Sequence, residues 1–512
     1  SSYRAEQDNY WLMRFREGIQ WQNRQLTLSQ KQVIESVLCE KYLSLVQGPP
    51  GTAKTTCIVE LLHQIYTYRP ETRVLLVSQQ HAAVDNALER FIDLNSQQLE
   101  EQQIRLLRIG PEKKVEGKLR QFTIQQRQQE FVQNSRVAVT EAIASGGETQ
   151  IALAERWIED VLCPASEEGQ NGVDQELVWM LLSNNNLVGA TCVGLASRKQ
   201  SIDQLRFDVV IIDEAGRSTV PELMIPMLRA KTVVLIGDHF QLPPSVAPLL
   251  QTDDAAEEMP FLQECFLETS FFETLYGALP ESSRNFLSEQ FRMPVQIGDL
   301  VAHLFYSPEG KRLLHNGQIK DTSGFIYPVS LIWKDIRGIE ESEGTSKRNY
   351  SEAASITHFL HNLANQEGIG CKDVAVITPY GAQKRLLRQL LAKHCEEDNG
   401  EYRLGNLRIR INTVDSFQGS EADVVLYSVV RTRGNLRFIL DWKRLNVACS
   451  RAKENLIFFG DYGFLKRKRL PDEERNLFAE VIALIPEDGV VHAVAKSERM
   501  FGKKKGINGC KN

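Results

Sequence analysis

Short apolar runs rich in β-branched residues recur along the chain, and longer amphipathic stretches separate most of them. Such runs, each of about five residues, are typical of strands that are buried on both faces of a parallel sheet. The predicted strands are Tyr42–Val46, Val74–Ser78, Asp208–Ile212, Thr232–Ile236, Asp373–Thr378, Val424–Val430 and Asn455–Phe459. The alternation of strands and helices predicts an α/β protein with two separate parallel sheets.

The two predicted sheets divide the chain into domains. The first sheet domain is expected at 25–281 and the second at 282–490, with an N-terminal helix at 1–24 and a basic tail at 491–512. The segment 95–186 is rich in Gln and Glu and shows helical spacing of apolar residues, so we expect a mostly helical insertion in the first domain. Between the domains, Glu268–Tyr276 predicts a helix that packs through its aromatic residues.

Composition indicates a soluble, intracellular, globular protein. Of 512 residues, 42% are hydrophobic and 25% are charged, and no run of about eighteen apolar residues predicts a membrane span. The nine cysteines lack the spacing of a zinc site or a disulfide framework. A net charge of -6 argues against coating nucleic acid by bulk charge but leaves room for a local basic channel. The chain starts at Ser1 rather than Met, so we expect the natural protein to be longer.

A glycine-rich loop follows the first predicted strand and opens a helix, which is the context of a phosphate-binding loop. It consists of Gly48, Pro49, Pro50, Gly51, Thr52, Ala53, Lys54 and Thr55, with Thr56 next. Backbone N–H groups at the helix start would cradle a polyphosphate, Lys54 would neutralise its oxygens, and the Thr55 hydroxyl would bind Mg²⁺. Ala53 replaces the usual glycine, and we expect it to be tolerated if its φ is negative.

Acidic and amide side chains follow the next predicted strands. Asp213 and Glu214 come directly after a buried strand, at the edge where open α/β sheets bind ligands. Asp213 would hold Mg²⁺ and Glu214 would activate the attacking water, although an acidic pair is often only a helix cap. Gln241, after the strand that ends at Ile236, is placed to sense the γ-phosphate through its amide, with a simple proline turn as the alternative.

Two arginines in the second domain, Arg292 and Arg451, are candidates to stabilise phosphoryl transfer from the far side of the γ-phosphate. An arginine in that position is typically worth about 10³–10⁵ in rate, although either residue could form only a salt bridge. Taken in order along the chain, these motifs predict a nucleotide-hydrolysing motor that uses ATP and Mg²⁺.

With this ordered set of motifs, the chain from Leu26 to about Asp461 resembles the superfamily 1 helicases, in the up-frameshift/senataxin-like branch of the 5′-to-3′ subgroup. The resemblance implies two RecA-like domains with ATP held between them. It also implies that Gln30 reads adenine, that Phe291 stacks on it in place of the usual tyrosine, and that Gly419 and Glu421 approach the nucleotide. Arg292 and Arg451 would be the arginine fingers.

The resemblance further implies contacts with single-stranded RNA or DNA from segments that offer hydroxyls and backbone amides more than cations. The implied contact residues are Ser78, His81, Val84, Thr191, Val193, Thr378, Pro379, Thr413, Val414 and Asp415. The choice between RNA and DNA stays open, and sequence-specific binding is not expected. We expect a monomer without a membrane partner.

The chain departs from the family pattern in several ways, and the first of these is a mild change. Asp-Glu-Ala-Gly, ending at Gly216, replaces the commoner Asp-Glu-Ala-Ala or Asp-Glu-Ala-Ser, and few residues precede Gln30, where relatives carry a small barrel on a stalk. The prediction is therefore an ATP-dependent helicase or translocase moving 5′-to-3′, with an ATP-controlled RNA-binding clamp or scaffold as the alternative. A small-molecule kinase is a more distant alternative.

Overall fold

The computed structural model describes residues 18–115, 117–145, 151–153, 156, 175–196, 204–244, 270–315, 325–366, 368, 370–398, 400–417, 419–471 and 475–492. The predicted N-terminal helix lies mostly outside the described residues, and 18–24 are not helical. The predicted basic tail is described only as far as His492. The chain forms two compact units, Ser1–Phe291 and Arg292–Asn512.

The first unit contains a seven-stranded parallel sheet in the order β3-β4-β2-β5-β6-β1-β7. Its strands are β1 Leu43–Gln47, β2 Val74–Ser78, β3 Leu106–Arg108, β4 Leu187–Thr191, β5 Phe207–Asp213, β6 Ala230–Gly237 and β7 Arg284–Phe286. Its described α-helices are α1 Leu28–Cys39, α2 Lys54–Tyr68, α3 His81–Leu94, α4 Ser96–Glu100, α5 Ile124–Ser145, α6 Gln175–Asn184, α7 Val220–Met227 and α8 Phe271–Ala278. A short strand, β8 Glu289–Gln290, follows.

Alternate residues of strands β1 to β6 enter two different apolar clusters, one on each face of the first sheet. In β2, Val74 and Leu76 pack in one cluster, whereas Leu75 and Val77 pack in the other. Side chains that alternate between faces produce this pattern when helices cover both sides of a sheet. The long apolar runs of the sequence therefore correspond to strands that are buried on both faces.

The second unit contains an eight-stranded sheet in the order β14-β15-β16-β13-β17-β18-β10-β19. The strands are β9 Leu314–His315, β10 Leu331–Asp335, β11 Glu340–Glu343, β12 Ser346–Asn349, β13 Lys372–Thr378, β14 Glu396–Asp398, β15 Glu401–Leu404, β16 Leu407–Thr413, β17 Ala422–Ser428, β18 Ala452–Gly460 and β19 Val490–His492. The pairs β14·β15 and β15·β16 are antiparallel, and the other pairs of this sheet are parallel. Strands β11 and β12 form a separate hairpin.

The described helices of six or more residues in the second unit are α9 Val295–Val301, α10 Tyr350–Ala364, α11 Gly381–Leu391, α12 Trp442–Cys449, α13 Tyr462–Arg467 and α14 Leu477–Leu484. A π-helical turn, Ala302–Tyr306, follows α9. Helices α10 and α11 pack their apolar faces on one side of the sheet, where Ile356 and Leu387 join strand residues such as Val376 in one cluster. The two-sheet α/β fold is confirmed.

All of the predicted strands are present, with small shifts at their ends. The structure differs at the predicted boundary between 281 and 282, because β7 pairs with β1 and extends the first unit to Phe291. The segment 95–186 is helical in α4, α5 and α6, but it also supplies β3, which pairs with β4 in the first sheet. The predicted aromatic helix is α8, where Phe272 and Tyr276 are buried against the ring of His239.

Candidate functional site

The phosphate-binding loop connects β1 to α2, as the sequence predicts. Ala53, the residue before Lys54, has φ 60° and ψ 42°, which is the left-handed region. The condition under which alanine was expected to be tolerated here, a negative φ, is therefore not met. A side chain in this region crowds the following carbonyl oxygen and costs about 1–2 kcal/mol, so the usual glycine would fit this position with less strain.

Lys54 lies between its own loop and the acidic pair. Its Nζ donates a hydrogen bond to the Gly48 carbonyl oxygen at 3.0 Å and lies 3.9 Å from Glu214 Oε1. Gly48 is needed for this arrangement, because a Cβ there would lie 2.6 Å from Lys54 Cγ. The structure thus brings together the cation and the acid that the sequence assigned to phosphate binding and water activation.

Asp213 and Glu214 are adjacent at the end of β5, and the backbone turns sharply between strand and loop. Glu214 has φ 55° and ψ 33°, and its N–H donates to Asp213 Oδ1 at 2.9 Å. Burial, followed by the charge of Glu214, raises the pKa of Asp213, although Lys54 opposes the shift. A buried carboxylate with a carboxylate neighbour gains most from a nearby cation.

Gln241 is buried beside the end of β6. Its Nε2 donates to Asp238 Oδ2 at 2.8 Å, and Asp238 Oδ1 accepts from Gln47 Nε2 at 3.3 Å. Asp238 therefore links Gln241 to the last residue of β1, which is immediately before the phosphate-binding loop. Two successive hydrogen bonds thus connect Gln241 to the start of the loop.

Gly216 explains the unusual Asp-Glu-Ala-Gly motif. A Cβ at Gly216 would lie 2.9 Å from the backbone oxygen of Asp238, and a Cβ at Gly237 would lie 2.5 Å from the backbone nitrogen of Gly216. The loops after β5 and β6 are therefore in backbone contact. In this chain, glycine at 216 is required by packing and is more than a mild departure from the family pattern.

Gln30 and Phe291, the adenine-site candidates, both contact the phosphate-binding loop. The Gln30 side chain accepts from the Thr27 N–H at 3.0 Å in a capping box and donates to the Thr52 carbonyl oxygen at 3.4 Å. The Phe291 N–H donates to the Gly51 carbonyl oxygen at 2.9 Å, and the side chain is 37% exposed. The first unit thus holds both residues next to the loop.

In the second unit, Arg292 and Glu421 form an ion pair, with Arg292 Nε 2.9 Å from Glu421 Oε2. Arg292 Nη1 also donates to the Ser450 carbonyl oxygen at 3.2 Å. Partial burial opposes ionisation of Glu421, but Arg292 and Lys453 outweigh it and hold its pKa below the usual value. Glu421 is therefore a carboxylate at neutral pH and fixes the position of Arg292.

Arg451 is 3% exposed and donates hydrogen bonds within its own unit. Its acceptors are the Val447 carbonyl oxygen at 2.9 Å, the Ser420 carbonyl oxygen at 3.2 Å and the Ser450 hydroxyl at 3.0 Å. Ser420 lies between the candidates Gly419 and Glu421, and Gly419 has a left-handed φ of 83°. The second unit thus brings Arg292, Arg451, Gly419 and Glu421 together.

The nucleic-acid candidates differ in how much side-chain surface they offer. Five side chains are buried, and five are partly or fully accessible. The buried ones are Ser78, Val84, Thr191, Thr378 and Val414, and the accessible ones are His81, Val193, Pro379, Thr413 and Asp415. Val193 is 67% exposed, whereas Val84 is a core residue beside Leu88. Side-chain contact with single-stranded nucleic acid would thus involve mainly the accessible residues. The buried residues could offer only backbone atoms.

Sequence reasoning missed several polar residues that hold these candidate segments in place. Tyr380, which follows Pro379, accepts a hydrogen bond from Arg431 Nη1 at 3.3 Å, and Arg431 Nε lies 3.0 Å from buried Glu340 Oε2. These residues come from β11 and from the loop after β17, so they meet only in the fold. No local pattern marks them in the sequence.

Glu352 on α10 forms a second buried polar centre that the sequence did not reveal. Its carboxyl oxygens accept from the Val430 N–H at 2.8 and 3.0 Å and from the Ser428 hydroxyl at 2.7 Å. Val430 has φ 74°, a strained conformation for a β-branched residue. Burial raises the pKa of Glu352 to about 8. The Asn349-x-x-Glu352 spacing, typical of a helix start, is the only signal of this centre in the sequence.

Comparisons with known proteins agree with the motifs. Two family models match, each described as an AAA domain, one at residues 25–161 and 165–247 and the other at 267–463. The solved structures that resemble the chain include one titled as a PRRSV helicase, with 12% identity and a TM-score of 0.37, covering 84% of this chain and 55% of that one.

Curated relatives match most of this chain but only part of their own lengths. The DNA polymerase alpha-associated DNA helicase A of Schizosaccharomyces pombe is 26% identical over 88% of this chain and 65% of its own length. The regulator of nonsense transcripts 1 homolog of Neurospora crassa is 28% identical over 85% of this chain and 37% of its own length. Together with the ordered motifs, the matched domains and these relatives show that the chain belongs to the superfamily 1 helicases, in their up-frameshift-like branch.

Proposed function

We propose that the protein is an ATP-dependent helicase or translocase that couples Mg-ATP hydrolysis to 5′-to-3′ movement along single-stranded RNA or DNA. The observation that carries this proposal is the 3.9 Å approach of Lys54 to Glu214, with Asp213 adjacent at the end of β5. A phosphate-binding lysine beside a carboxylate pair is what nucleotide hydrolysis needs. The proposal that the substrate is a nucleic acid rests on membership of a helicase family.

ATP would bind with its phosphates on the backbone N–H groups of the loop and its charge neutralised by Lys54. The Thr55 hydroxyl and the Asp213 carboxylate fit Mg²⁺, because this ion prefers hard oxygen ligands and usually binds one or two carboxylates together with substrate phosphates. Burial and the neighbouring Glu214 both disfavour the ionised form of Asp213, so a cation bound there would stabilise that form. Mg²⁺ would supply charge stabilisation during phosphoryl transfer.

Glu214 would orient and deprotonate the attacking water, since its side chain is the accessible member of the acidic pair. Gln241 would report the state of the γ-phosphate through Asp238 and the end of β1. Gln30 and Phe291 would hold the adenine, and their contacts with the phosphate-binding loop would link base recognition to phosphate binding.

Arg292 and Arg451 would supply the positive charge that transferring phosphate requires. Arg451 Nε, Nη1 and Nη2 each donate to a carbonyl or hydroxyl oxygen of its own unit, so the guanidinium is held in position before it meets phosphate. A phosphate oxygen that weakened the bond to the Ser420 carbonyl would move the segment near Ser420. This is the step at which we propose that hydrolysis is converted into movement.

The alternative is an ATP-controlled clamp that binds RNA and acts as a monomeric scaffold with little or no unwinding. The internal bonds of both arginines, Arg292 to Glu421 and Arg451 to the Val447 carbonyl oxygen, favour it, since a clamp needs fewer rearrangements of these side chains than a motor. Among the residues that the structure describes, no helix has the length and apolarity of a membrane span.

Two measurements test the proposal. Steady-state ATPase activity is measured with and without single-stranded RNA and DNA, and unwinding is measured on duplexes with a 5′ or a 3′ single-stranded tail. The motor requires strand-stimulated hydrolysis and preferential unwinding of the 5′-tailed duplex. Stimulated hydrolysis without unwinding or translocation would support the clamp, and no hydrolysis under either condition would reject both.

A further inference from the structure

A fully buried arginine contacts one of the residues of the first unit that are predicted to bind single-stranded nucleic acid. Arg108, the last residue of β3, is 0% exposed. Its Nε lies 2.6 Å from Asp85 Oδ1, and its Nη1 donates to the Ile109 carbonyl oxygen at 2.6 Å. Burying a guanidinium is costly unless it is paired and hydrogen-bonded, and these two partners meet part of that need.

Arg108 makes two further contacts, one from Nη1 to the Gly189 carbonyl oxygen at 3.4 Å and one from Nη2 to a histidine ring. Its Nη2 lies 3.1 Å from Nδ1 of His81. A guanidinium is always charged and only donates, so Nδ1 must be the acceptor in this hydrogen bond. A neutral imidazole that accepts at Nδ1 carries its proton at Nε2. The contact therefore selects one tautomer of His81.

The surroundings of His81 hold the ring neutral and in one position. Burial and the positive charges of Arg108 and Lys114 lower the pKa of His81, and the carboxylate of Asp85 opposes this only in part. Gly110 packs against the ring, because a Cβ there would lie 3.3 Å from His81 Cε1. The His81 side chain is partly accessible, and because Nδ1 contacts Arg108, Nε2 is the ring nitrogen that does not face this guanidinium.

His81 lies at the ligand-binding edge of the parallel sheet. It begins α3 directly after β2, and the last residue of β2, Ser78, is in register with Thr191 at the end of β4. Ligands bind at the carboxyl ends of strands in such sheets. The contact with His81 Nδ1 gives the buried Nη2 group an acceptor and, at the same time, holds the ring of His81 at this edge.

We propose that Arg108 is a positioning residue that holds His81 as a neutral Nε2–H donor to the sugar-phosphate backbone of single-stranded nucleic acid. This inference rests on the proposed function. The His81 contact adds affinity without adding charge, so it contributes little to the salt dependence of binding. Arg108 acts through His81 and does not touch the strand.

The first experiment reads the tautomer in the free protein. The chain is labelled with ¹⁵N-histidine, and the ring of His81 is assigned in long-range ¹H–¹⁵N spectra by comparison with His81→Gln. The expected result at pH 7 is a neutral ring protonated at Nε2. In Arg108→Lys, a single ammonium cannot serve Asp85, Ile109 and His81 together, so both tautomers should appear. Gly110→Ala displaces the ring without removing a polar group and serves if Arg108→Lys does not fold.

The second experiment measures binding of uniform single-stranded oligonucleotides, oligo(dT) and oligo(U). His81→Ala should weaken binding by about 2- to 12-fold, as expected for loss of one neutral hydrogen bond, with an unchanged salt slope. His81→Gln keeps a neutral N–H donor and should recover part of this loss. The control is His63→Ala, because His63 binds Asn95 and Thr67 inside its own unit and should leave strand affinity unchanged.

The outcomes separate this inference from the proposed function. A His81 ring that is cationic or protonated at Nδ1 at pH 7, or a tautomer unaffected by both Arg108→Lys and Gly110→Ala, overturns the role of Arg108. Equal binding by wild type and His81→Ala overturns the strand contact. If the wild type binds no oligonucleotide, the proposed function and the strand contact both fail, whereas the spectra still report on Arg108.

Discussion

Lys54 Nζ lies 3.9 Å from Glu214 Oε1, so the first residue of α2 faces the acid that follows β5. Ala53, next to Lys54, and Glu214 itself both have a left-handed backbone, with φ of 60° and 55°. Two non-glycine residues in this region are held in place by the structure around them at a cost in stability. The strain is located at the atoms that the proposed reaction uses.

Replacing Glu214 with glutamine should preserve ATP binding and abolish most turnover. Gln keeps the shape of the side chain, but it cannot accept the proton of the attacking water, and general-base catalysis contributes about 10²–10⁴ in rate. The measurements are kcat for ATP hydrolysis and the Kd of a fluorescent ATP analogue. The matched control is Glu100→Gln, which changes an exposed carboxylate on α4. An unchanged kcat in Glu214→Gln would remove this residue from the mechanism.

Removing Arg292 should lower kcat far more than nucleotide affinity. An arginine that acts on the transferring phosphate contributes about 10³–10⁵ in rate because its charge matters most in the transition state. Arg292→Ala is therefore compared with Arg312→Ala, an exposed arginine of the same unit, in steady-state ATPase and analogue-binding assays. A fall in kcat matched by an equal fall in affinity would make Arg292 a binding residue only.

Arg451 should differ from Arg292 in its effect on stability. Arg451→Ala removes three donors from buried carbonyl and hydroxyl oxygens, and each unsatisfied buried group costs about 1–3 kcal/mol. Thermal unfolding should therefore show a clearly lower Tm for Arg451→Ala than for Arg292→Ala. Arg451→Lys retains charge and part of the bonding, so it should recover stability but not full turnover. Equal Tm values for the two alanine variants would contradict this.

The sequence predicted the parts of the fold that repeat a simple pattern. Apolar runs such as Val74–Ser78 identify strands because both of their faces are buried in apolar clusters. The strand Leu407–Thr413 was missed because Arg408 and Arg410 alternate with its apolar residues, as suits a strand next to the antiparallel edge. Strand Leu106–Arg108 was missed because it is short and ends in a charge.

The candidate site was predictable only where neighbouring residues in the sequence carry the chemistry. The phosphate-binding loop and the acid pair are local motifs, so Lys54 and Glu214 could be assigned before the fold was known. The role of Arg108 depends on contacts with α3, far away in sequence, and no local pattern reports them. The φ of Ala53 could not be predicted because the loop, and not the residue type, determines it.

Replacing Ala53 with glycine should stabilise the protein slightly. The left-handed conformation costs a non-glycine residue about 1–2 kcal/mol, and the greater freedom of glycine in the unfolded chain offsets about 0.4–1 kcal/mol of that gain. The net increase in unfolding free energy should thus be about 1 kcal/mol or less, measured by chemical denaturation. Ala354→Gly, within helix α10, is the control and should lose about 0.5–1 kcal/mol. A destabilised Ala53→Gly would contradict the left-handed assignment.

Glu352 should make stability fall as pH rises through the neutral range. Burial raises its pKa from 4.5 to about 8, so the folded state holds a proton that the unfolded state releases above about pH 4.5. The associated stability is fully present below that pH and is lost as pH rises toward 8, with a slope of at most about 1.4 kcal/mol per pH unit. Other groups titrate too, so the readout is the difference between wild type and Glu352→Gln.

Glu352→Gln should remove this slope while keeping the strained turn at Val430, because the glutamine oxygen can still accept from the Val430 N–H. Unfolding free energies of both proteins are measured by urea denaturation from pH 5 to 8. The variant should gain stability relative to wild type as pH rises. Glu341→Gln, an exposed member of a surface ion pair on the β11 hairpin, is the control and should follow the wild-type profile. Parallel profiles for wild type and Glu352→Gln would show that the carboxyl is ionised in the fold, with its four hydrogen bonds outweighing the cost of burial.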